Sequence, residues 1–216
     1  MLEATILWAA TMTQYVHVQD EPRHRHQFEN DYVRVYDVLI PVGDTTLYHE
    51  HTEDTIYVSI KTAKVEDQTF GESEVRAGEV PPGIAMCRPH KESPLIHQVT
   101  NVGDDVMRMI GLEVKASAPN GAENPLGSPF EEVWTRSRVR AYKWSLAPDA
   151  LIGSTDYQFS SATVFLTDCA LRVEGEGTKR TTRHSAGDIV WQDGPLTQSV
   201  RNVGIEVCEG YLFEWL

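Results

Sequence analysis

The chain has 216 residues, and its 19 Lys and Arg against 32 Asp and Glu give a formal net charge of −13. The length fits one large domain or two small ones, and 41% hydrophobic with 24% charged residues is typical of a globular protein. The acidic balance argues against a nucleic-acid or anionic membrane partner, and no run of 18 apolar residues is present to span a membrane.

The amino terminus and the cysteines both bear on the cellular compartment. Leu2 to Met12 is mildly apolar but contains Glu3 and lacks a basic start, so we expect a packed strand or tail and not a signal peptide. Cys87, Cys169 and Cys208 form an odd set without a CxxC pair, which argues against a disulfide framework. The sequence therefore predicts a reducing, cytoplasmic location, with a secreted or periplasmic one left open.

The pattern along the chain predicts short strands and no long helix. Segments rich in β-branched and aromatic residues are bounded by turn residues, and no dozen-residue window has a clean 3.6-residue apolar period. The predicted strands include Tyr32–Ile40, Thr55–Ile60, Val99–Val102, Val106–Val114 and Ala162–Thr167. This arrangement is typical of an all-β sandwich or barrel.

A stretch rich in Pro, Gly, Ser, Asn and Ala, at about 115–129, is typical of a linker. The parts on either side of it resemble each other. In particular, the segment from His97 to Gly103 matches the segment from Gln198 to Gly204, and both contain Asn-Val-Gly. We therefore expect one β unit duplicated, with an N-terminal unit at 1–116, a linker at 117–130 and a C-terminal unit at 131–216.

His49 and His51 are the first candidate metal ligands. They are separated by one residue, so on a strand their side chains share one face. Two neighbouring imidazoles suit a divalent transition metal, and His97 follows at the start of a predicted strand. Chance is the alternative explanation, because His24-Arg25-His26 is a second His-x-His pair in a chain with 8 His.

These residues resemble the motifs of the cupin superfamily. Gly43, five further residues and His49-Glu50-His51 match the opening of its first motif, and His97 with Asn101 matches the end of its second. The resemblance covers nearly the whole chain. It implies an all-β bicupin of two tandem double-stranded β-helix (jelly-roll) barrels, with His49, His51 and His97 as metal ligands in the first barrel.

The first motif departs from the family pattern at its glutamate. The family Glu is expected at position 55 or 56, where this chain has Thr55 and Ile56. Glu53 and Asp54 lie near but out of register, so either a local bulge brings one of them to the metal or the site holds three histidines. Glu53 is retained as a candidate catalytic residue. A three-His site resembles those of the thiol and diketone dioxygenases of the superfamily.

The second half departs further from the pattern. Asp156 and Gln158 lie near the positions of the paired histidines, and Gln198 replaces the third histidine. Because an amide is a weak ligand for zinc or iron, we expect this barrel to bind no metal. It then serves a structural role or forms a second pocket.

Several other residues have two interpretations. Tyr57 is a candidate proton donor in the site or an aromatic residue that fills the barrel, and Met107 and Met109 are expected to fill it. The loop between Gly78 and His97 is expected to be solvated; alternatively it caps the pocket, with Arg88 as an anion clamp. Four further histidines and the loop cysteine are expected at solvated positions: His24, His26, Cys87, His90 and His184.

The leading hypothesis is a metal-dependent cupin enzyme with one active centre in the N-terminal barrel. The expected metal is Fe(II), with Zn, Mn, Ni or Cu as alternatives, and the expected reaction is dioxygenation of a small organic substrate. Two alternatives stay open: a redox-neutral metal-dependent lyase, isomerase or hydrolase, and a non-catalytic bicupin that binds a small ligand. A homodimer is a further possibility.

Overall fold

The computed structural model describes residues 14–118, 125–136, 138–175 and 177–216. Within these residues the chain is almost entirely β-strand, and its one helix is a single 3-10 turn at Val18–Asp20. No helix in this part of the chain is long and apolar enough to cross a membrane. The segment from Leu2 to Met12 lies outside the described residues.

The first half of the chain folds into two facing sheets. Their orders are β1-β4-β9-β6-β7 and β2-β3-β10-β5-β8. The strands are β1 (Val16–His17), β2 (His24–Glu29), β3 (Val33–Ile40), β4 (His49–His51), β5 (Asp54–Ser59), β6 (Ala63–Thr69), β7 (Val75–Val80), β8 (Ala85–Arg88), β9 (Leu95–Asn101) and β10 (Met107–Val114). The two sheets enclose an interior that opens to one side as a cavity.

The second half repeats this arrangement. Its sheets have the orders β11-β12-β19-β14-β17 and β13-β18-β15-β16. The strands are β11 (Phe130–Arg136), β12 (Val139–Leu146), β13 (Leu151–Tyr157), β14 (Ser161–Phe165), β15 (Cys169–Gly175), β16 (Thr178–His184), β17 (Ile189–Gln192), β18 (Leu196–Asn202) and β19 (Cys208–Trp215). No sheet in the described part of the chain mixes strands of the two halves. The unit boundaries at 116, 117–130 and 131 stay a prediction.

Asn101 and Asn202 demonstrate the internal repeat at the level of single atoms. In each, the buried side-chain amide donates to two backbone carbonyls and accepts one backbone N–H, at 2.8–2.9 Å. The partners of Asn101 are Ile40, Asp105 and Gly103, and those of Asn202 are Leu146, Glu206 and Gly204. Each asparagine thus ties the end of one sheet to the turn that leads into the last strand of its barrel.

Strand alternation divides the apolar residues into three buried groups. On β3, Val33 and Val35 face the other barrel, whereas Val38 and Ile40 face the interior of their own. The largest group lies between the barrels, where the sheet containing β3, β5 and β10 packs on the sheet containing β12, β14 and β19. Because this inter-barrel core includes fully buried residues of both halves, such as Trp215, the barrels bury apolar surface against each other.

A buried hydrogen-bonded ion pair also occurs in both barrels. In the first, Glu113 on β10 accepts from Arg34 at 2.9 Å and from the Tyr36 hydroxyl at 3.1 Å. In the second, Glu214 accepts from Arg140 at 3.4 Å and from the Tyr142 hydroxyl at 2.8 Å. These partners compensate two carboxylates that are both fully buried.

A disulfide joins Cys169 at the start of β15 to Cys208 at the start of β19. The cysteine count argued against a disulfide framework, and the structure has this one disulfide. The sequence does not indicate this pairing, because the two residues are 39 positions apart and are brought together only by the barrel topology. Cys87 is the free cysteine of the described residues, and the cytoplasmic location stays a prediction.

Candidate metal centre

Strand alternation and strand pairing place three predicted histidines together inside the first barrel. His49 and His51 on β4 are both buried and point inward. His97 on β9 pairs directly with His49 across the antiparallel ladder. The ring centre of His97 lies 4.7 Å from that of His49 and 5.2 Å from that of His51. The structure therefore brings together all three residues that the sequence motif singled out.

His24 is a fourth member of this cluster, so the expectation that it lies on the surface was wrong. It begins β2, is only 8% exposed, and its ring centre is 4.7 Å from that of His49. Ligand atoms of His24, His49 and His51 all lie within 4.8 Å of one another. His26, two residues further along the same strand, is exposed as expected.

Hydrogen bonds fix the rings of His49 and His97 in one tautomer. Nδ1 of His49 lies 2.8 Å from the carbonyl oxygen of Leu47, and Nδ1 of His97 lies 2.6 Å from the carboxylate of Asp67. Because both partners only accept, the neutral form of each ring carries its proton on Nδ1 and keeps the lone pair on Nε2. A metal-ligating histidine commonly has such an oxygen partner on its other ring nitrogen.

Glu21 orients His24 in the same way. Its carboxylate is fully buried and lies 2.9 Å from Nδ1 of His24. It also accepts from the backbone and side chain of Arg23, and from the backbone N–H of Leu47. Burial by itself raises the pKa of Glu21, but these hydrogen bonds, led by that of His24, outweigh burial and lower it. The carboxylate therefore stays ionised beside the histidine.

Two buried histidines of this cluster, His49 and His51, favour the neutral form. Burial lowers the pKa of His49 to about 3, and the nearby rings of His24 and His97 lower it further. Burial lowers the pKa of His51 well below its ordinary value, with a further contribution from His49. Neutral imidazole is the form that binds a metal, so the site is prepared for a cation at neutral pH.

Tyr57 and His90 complete the polar part of the site. The Tyr57 hydroxyl lies 3.4 Å from Nδ1 of His51 and 3.4 Å from Nε2 of His90. His90 is only 7% exposed and stacks on His51, so the expectation of a solvated residue was wrong. Burial raises the pKa of Tyr57 and lowers that of His90 to about 4. The phenol therefore keeps its proton, and the imidazole is a free base.

Glu53 and Asp54 are not brought to the histidines. The carboxylate of Glu53 contacts Lys91 at 3.4 Å and Arg138 at 3.8 Å, and Asp54 accepts from Arg138 at 3.1 Å. Neither residue lines the cavity around the histidines. The catalytic assignments of Glu53 and Tyr57 stay predictions. The described ligand set contains imidazoles, while the carboxylates Asp67 and Glu21 contact the Nδ1 atoms of His97 and His24.

The cavity has a volume of about 230 Å³. Apart from the histidines its walls are mostly apolar, and they include Met107 and Met109, as expected for residues that fill the barrel. Arg88 also lines it, whereas its neighbour Cys87 packs against the inter-barrel core. Burial raises the pKa of the Cys87 thiol to about 11, so it is not a nucleophile at neutral pH.

The described part of the second barrel has no such histidine cluster. The residues at the equivalent positions differ by one from those expected from the sequence. Gln198 pairs with Thr155, as His97 pairs with His49, so Thr155 and Tyr157 occupy the positions of the paired histidines. The sequence placed Asp156 and Gln158 near these positions, and the structure has their neighbours there. The two barrels keep the same register along this strand, since Leu151 pairs with Arg201 as Thr45 pairs with Thr100. The equivalent of His24 is Phe130, which pairs with Trp144 as His24 pairs with Val38.

The sequence motifs identified neither Asp67 nor Glu21. Asp67 lies within a polar strand whose pattern does not distinguish it from Glu66. His24 had a detectable signal, because it belongs to a second His-x-His pair. What the sequence did not show is that β2 joins β3 at the edge of a sheet and turns His24 inward.

No family model matches the sequence, and no curated protein matches it. Solved structures do. AerE from Microcystis aeruginosa is 11% identical with a TM-score of 0.56, over 91% of this chain and 98% of that chain. A Bacillus subtilis oxalate decarboxylase, studied for its Mn(II) centres, is 11% identical with a TM-score of 0.57, over 92% of this chain and 76% of that chain. Such identities show the fold alone, and they confirm the expected bicupin fold of two tandem barrels.

Proposed function

We propose that the N-terminal barrel is the active centre of a metal-dependent dioxygenase that acts on a small organic substrate. The observation that carries this proposal is the cluster of buried histidines around one cavity. His24, His49, His51 and His97 are the proposed ligands. Hydrogen bonds to Leu47, Asp67 and Glu21 leave Nε2 of three of them free to bind.

The donor chemistry fits a divalent first-row transition metal. Imidazoles suit iron, copper, nickel and zinc, whereas a hard cation such as magnesium prefers oxygen ligands. A set of neutral ligands leaves the full +2 charge on the metal, which favours an anionic or chelating substrate. When bound, Fe(II) would supply dioxygen chemistry beside the substrate, whereas Zn, Mn, Ni or Cu would supply Lewis-acid chemistry.

Residues around the metal position would donate a proton, bind the substrate and exclude water. The Tyr57 hydroxyl, between His51 and His90, holds a proton that can be donated to a substrate oxygen. Arg88 lines the cavity and offers a cationic partner to a substrate carboxylate. The apolar walls, including Val38, Ile40 and Leu95, exclude water from the reacting atoms.

A redox-neutral lyase, isomerase or hydrolase is the second candidate, and the Tyr57–His90 pair favours it. A protonated phenol 3.4 Å from a neutral imidazole is an acid and a base within one site. Such a pair can move a proton between two positions of a substrate without any oxidant. The fold is also similar to that of an oxalate decarboxylase with Mn(II) centres, which makes Mn a metal to test.

Oxygen uptake separates the two candidates. Protein loaded anaerobically with Fe(II), Mn(II) or Zn(II) is mixed with small chelating substrates, such as a β-diketone and an aliphatic thiol, in an oxygen electrode. The proposal predicts oxygen uptake matched to substrate loss for the Fe(II) form. Substrate turnover without oxygen uptake supports the redox-neutral candidate, and no turnover with any of the three metals contradicts both.

The role of Tyr57 is tested in the same assay. Tyr57→Phe removes the hydroxyl but keeps the ring, and it should lower kcat about a hundredfold at unchanged metal content. Tyr48→Phe is the matched control, because the Tyr48 hydroxyl bonds Gln68 and does not line the cavity.

A further inference from the structure

The second barrel contains a cavity of its own, of about 250 Å³, similar in size to that of the first. The residues that build the metal centre are replaced there one by one. Val173, Gln198, Thr155 and Tyr157 stand where the first barrel has Asp67, His97, His49 and His51, as the matching strand registers show. The second barrel thus has a cavity at the equivalent position, but without the histidines.

Aromatic and aliphatic side chains form the deep wall of this cavity. Trp144, Tyr157 and Phe165 line it and are only 3–6% exposed, and Leu171 and Leu212 lie beside them. A well-packed core leaves few voids larger than a water molecule, whereas a dry apolar cavity of about 150 Å³ already admits benzene. The deep part of the second cavity therefore fits a ring-sized apolar group.

Polar groups gather at the opening of the cavity. Arg180, Thr182 and His184 alternate along β16, so all three face the cavity. His184 was expected to be solvent-exposed without partners, but it is half-buried: it stacks on Phe165 at 4.1 Å and contacts the Thr182 hydroxyl at 3.0 Å. The Arg180 guanidinium is exposed and makes no ion pair or hydrogen bond with the described residues.

Gln192 and Gln198 lie opposite each other on the remaining side of the opening. Their amides approach at only 3.4–3.5 Å, which is long for a hydrogen bond. A depression on the outer surface shares four lining residues with the cavity: Val173, Arg180, Gln192 and Gln198. Asp193 lies in that depression, where its carboxylate accepts from the indole of Trp191 at 2.8 Å. The guanidinium of Arg180 and the amides of Gln192 and Gln198 therefore line the opening of the cavity to solvent.

We propose that the second barrel binds a small monocarboxylic acid with an apolar, ring-sized body. The ring lies between Trp144, Tyr157 and Phe165, and the carboxylate meets Arg180 at the opening. The amides of Gln192 and Gln198 supply further donors. An apolar pocket with a few convergent polar groups is the usual form of a small-molecule site. This site is separate from the metal centre and does not depend on the proposed dioxygenase activity.

Binding of benzoate, phenylacetate and hexanoate, measured by isothermal titration calorimetry on the full chain, tests the proposal. Phenylacetamide serves as the uncharged analogue of phenylacetate. We expect at least one acid to bind with a Kd below about 1 mM, and the amide to bind more weakly. Failure of all three acids to bind below 10 mM would overturn the proposal.

Two variants place the binding in the second barrel. Arg180→Gln should weaken acid binding about tenfold and leave phenylacetamide binding unchanged, whereas Val173→Phe, which fills the cavity, should abolish both. Arg183→Gln is the matched control, because Arg183 lies on β16 but faces away from the cavity. Acid binding that survives Arg180→Gln and Val173→Phe unchanged comes from elsewhere, such as the first cavity, and contradicts the proposal.

Discussion

His49 and His97 face each other on neighbouring antiparallel strands, with their ring centres 4.7 Å apart. Each ring has its Nδ1 proton held by an oxygen, that of Leu47 for His49 and that of Asp67 for His97. The two Nε2 atoms are therefore fixed as lone-pair donors before any metal arrives. This preorganisation leads to specific expectations for the residues around the pair.

His24 is expected to act as a metal ligand. Replacing it with Ala removes one imidazole from the cluster of His24, His49 and His51, so metal affinity should fall at least tenfold. Competition with a chromogenic chelator measures this. His26→Ala is the control, because His26 lies on the same strand but is exposed and does not line the cavity. Equal affinities for the two variants would show that His24 is not a ligand.

Asp67 is expected to support the metal through His97. Asp67→Ala removes the acceptor 2.6 Å from Nδ1 of His97, and loss of such a partner typically costs 10- to 100-fold in metal affinity. The same chelator competition measures the effect. Glu66→Ala, at an exposed neighbouring position, should leave affinity unchanged. The assignment fails if the two variants weaken metal binding equally.

The sequence predicted the most apolar strands well, because their pattern depends on burial. The prediction for Tyr32–Ile40 corresponds to β3, and that for Val106–Val114 to β10. Strands such as β2, β7 and β16 were missed, since their largely exposed, polar residues carry no apolar alternation. The position of His24 depends on β2 and so could not be foreseen.

The sequence identified only part of the histidine cluster, because only part of it depends on local strand geometry. His49 and His51 share a face through local strand geometry, which a sequence motif records directly. Asp67, Glu21 and His90 reach the site through pairing between distant strands or through a loop, and no local pattern encodes that. The one-residue difference at Asp156 and Gln158 has the same origin, because the pairing of Thr155 with the distant Gln198 decides which residues of β13 face inward.

The buried tyrosines of the two barrels are both expected to contribute to stability. Tyr36→Phe and Tyr142→Phe each remove a hydrogen bond to a buried carboxylate, and Tyr142→Phe also removes the hydroxyl that accepts from Leu126 and Arg140. Each should lower the free energy of unfolding by about 1–2 kcal/mol, as measured by urea denaturation. Tyr32→Phe, which keeps the ring that stacks on Trp191, should change it by less than about 0.5 kcal/mol. An unchanged free energy of unfolding for either variant would contradict its assignment.

Glu29 is expected to contribute to acid sensitivity. Hydrogen bonds from Arg34 and then Lys115 lower the pKa of Glu29 to about 2 from 4.5. Because the folded pKa lies below the unfolded one, its contribution is present above pH 4.5 and is lost as the pH falls towards 2. Glu29→Gln should therefore make the fall in Tm shallower between pH 4.5 and 3.

The size of this effect is limited, because a third of the Glu29 side chain is exposed and such pairs contribute at most about 1 kcal/mol. Glu131→Gln is the control. Glu131 is exposed on β11 and makes no ion pair with the described residues, so its Tm profile should run parallel to that of the wild type. A parallel profile for Glu29→Gln as well would refute the assignment.

Metal content measured by elemental analysis tests the central claim most directly. The chain, purified without chelators and then loaded with Fe(II), Mn(II) or Zn(II) and desalted, should retain about one metal ion per chain. His49→Ala combined with His51→Ala should retain almost none. Retention of well under one equivalent by the wild type, or an equal amount in the double variant, would contradict a metal centre in the first barrel.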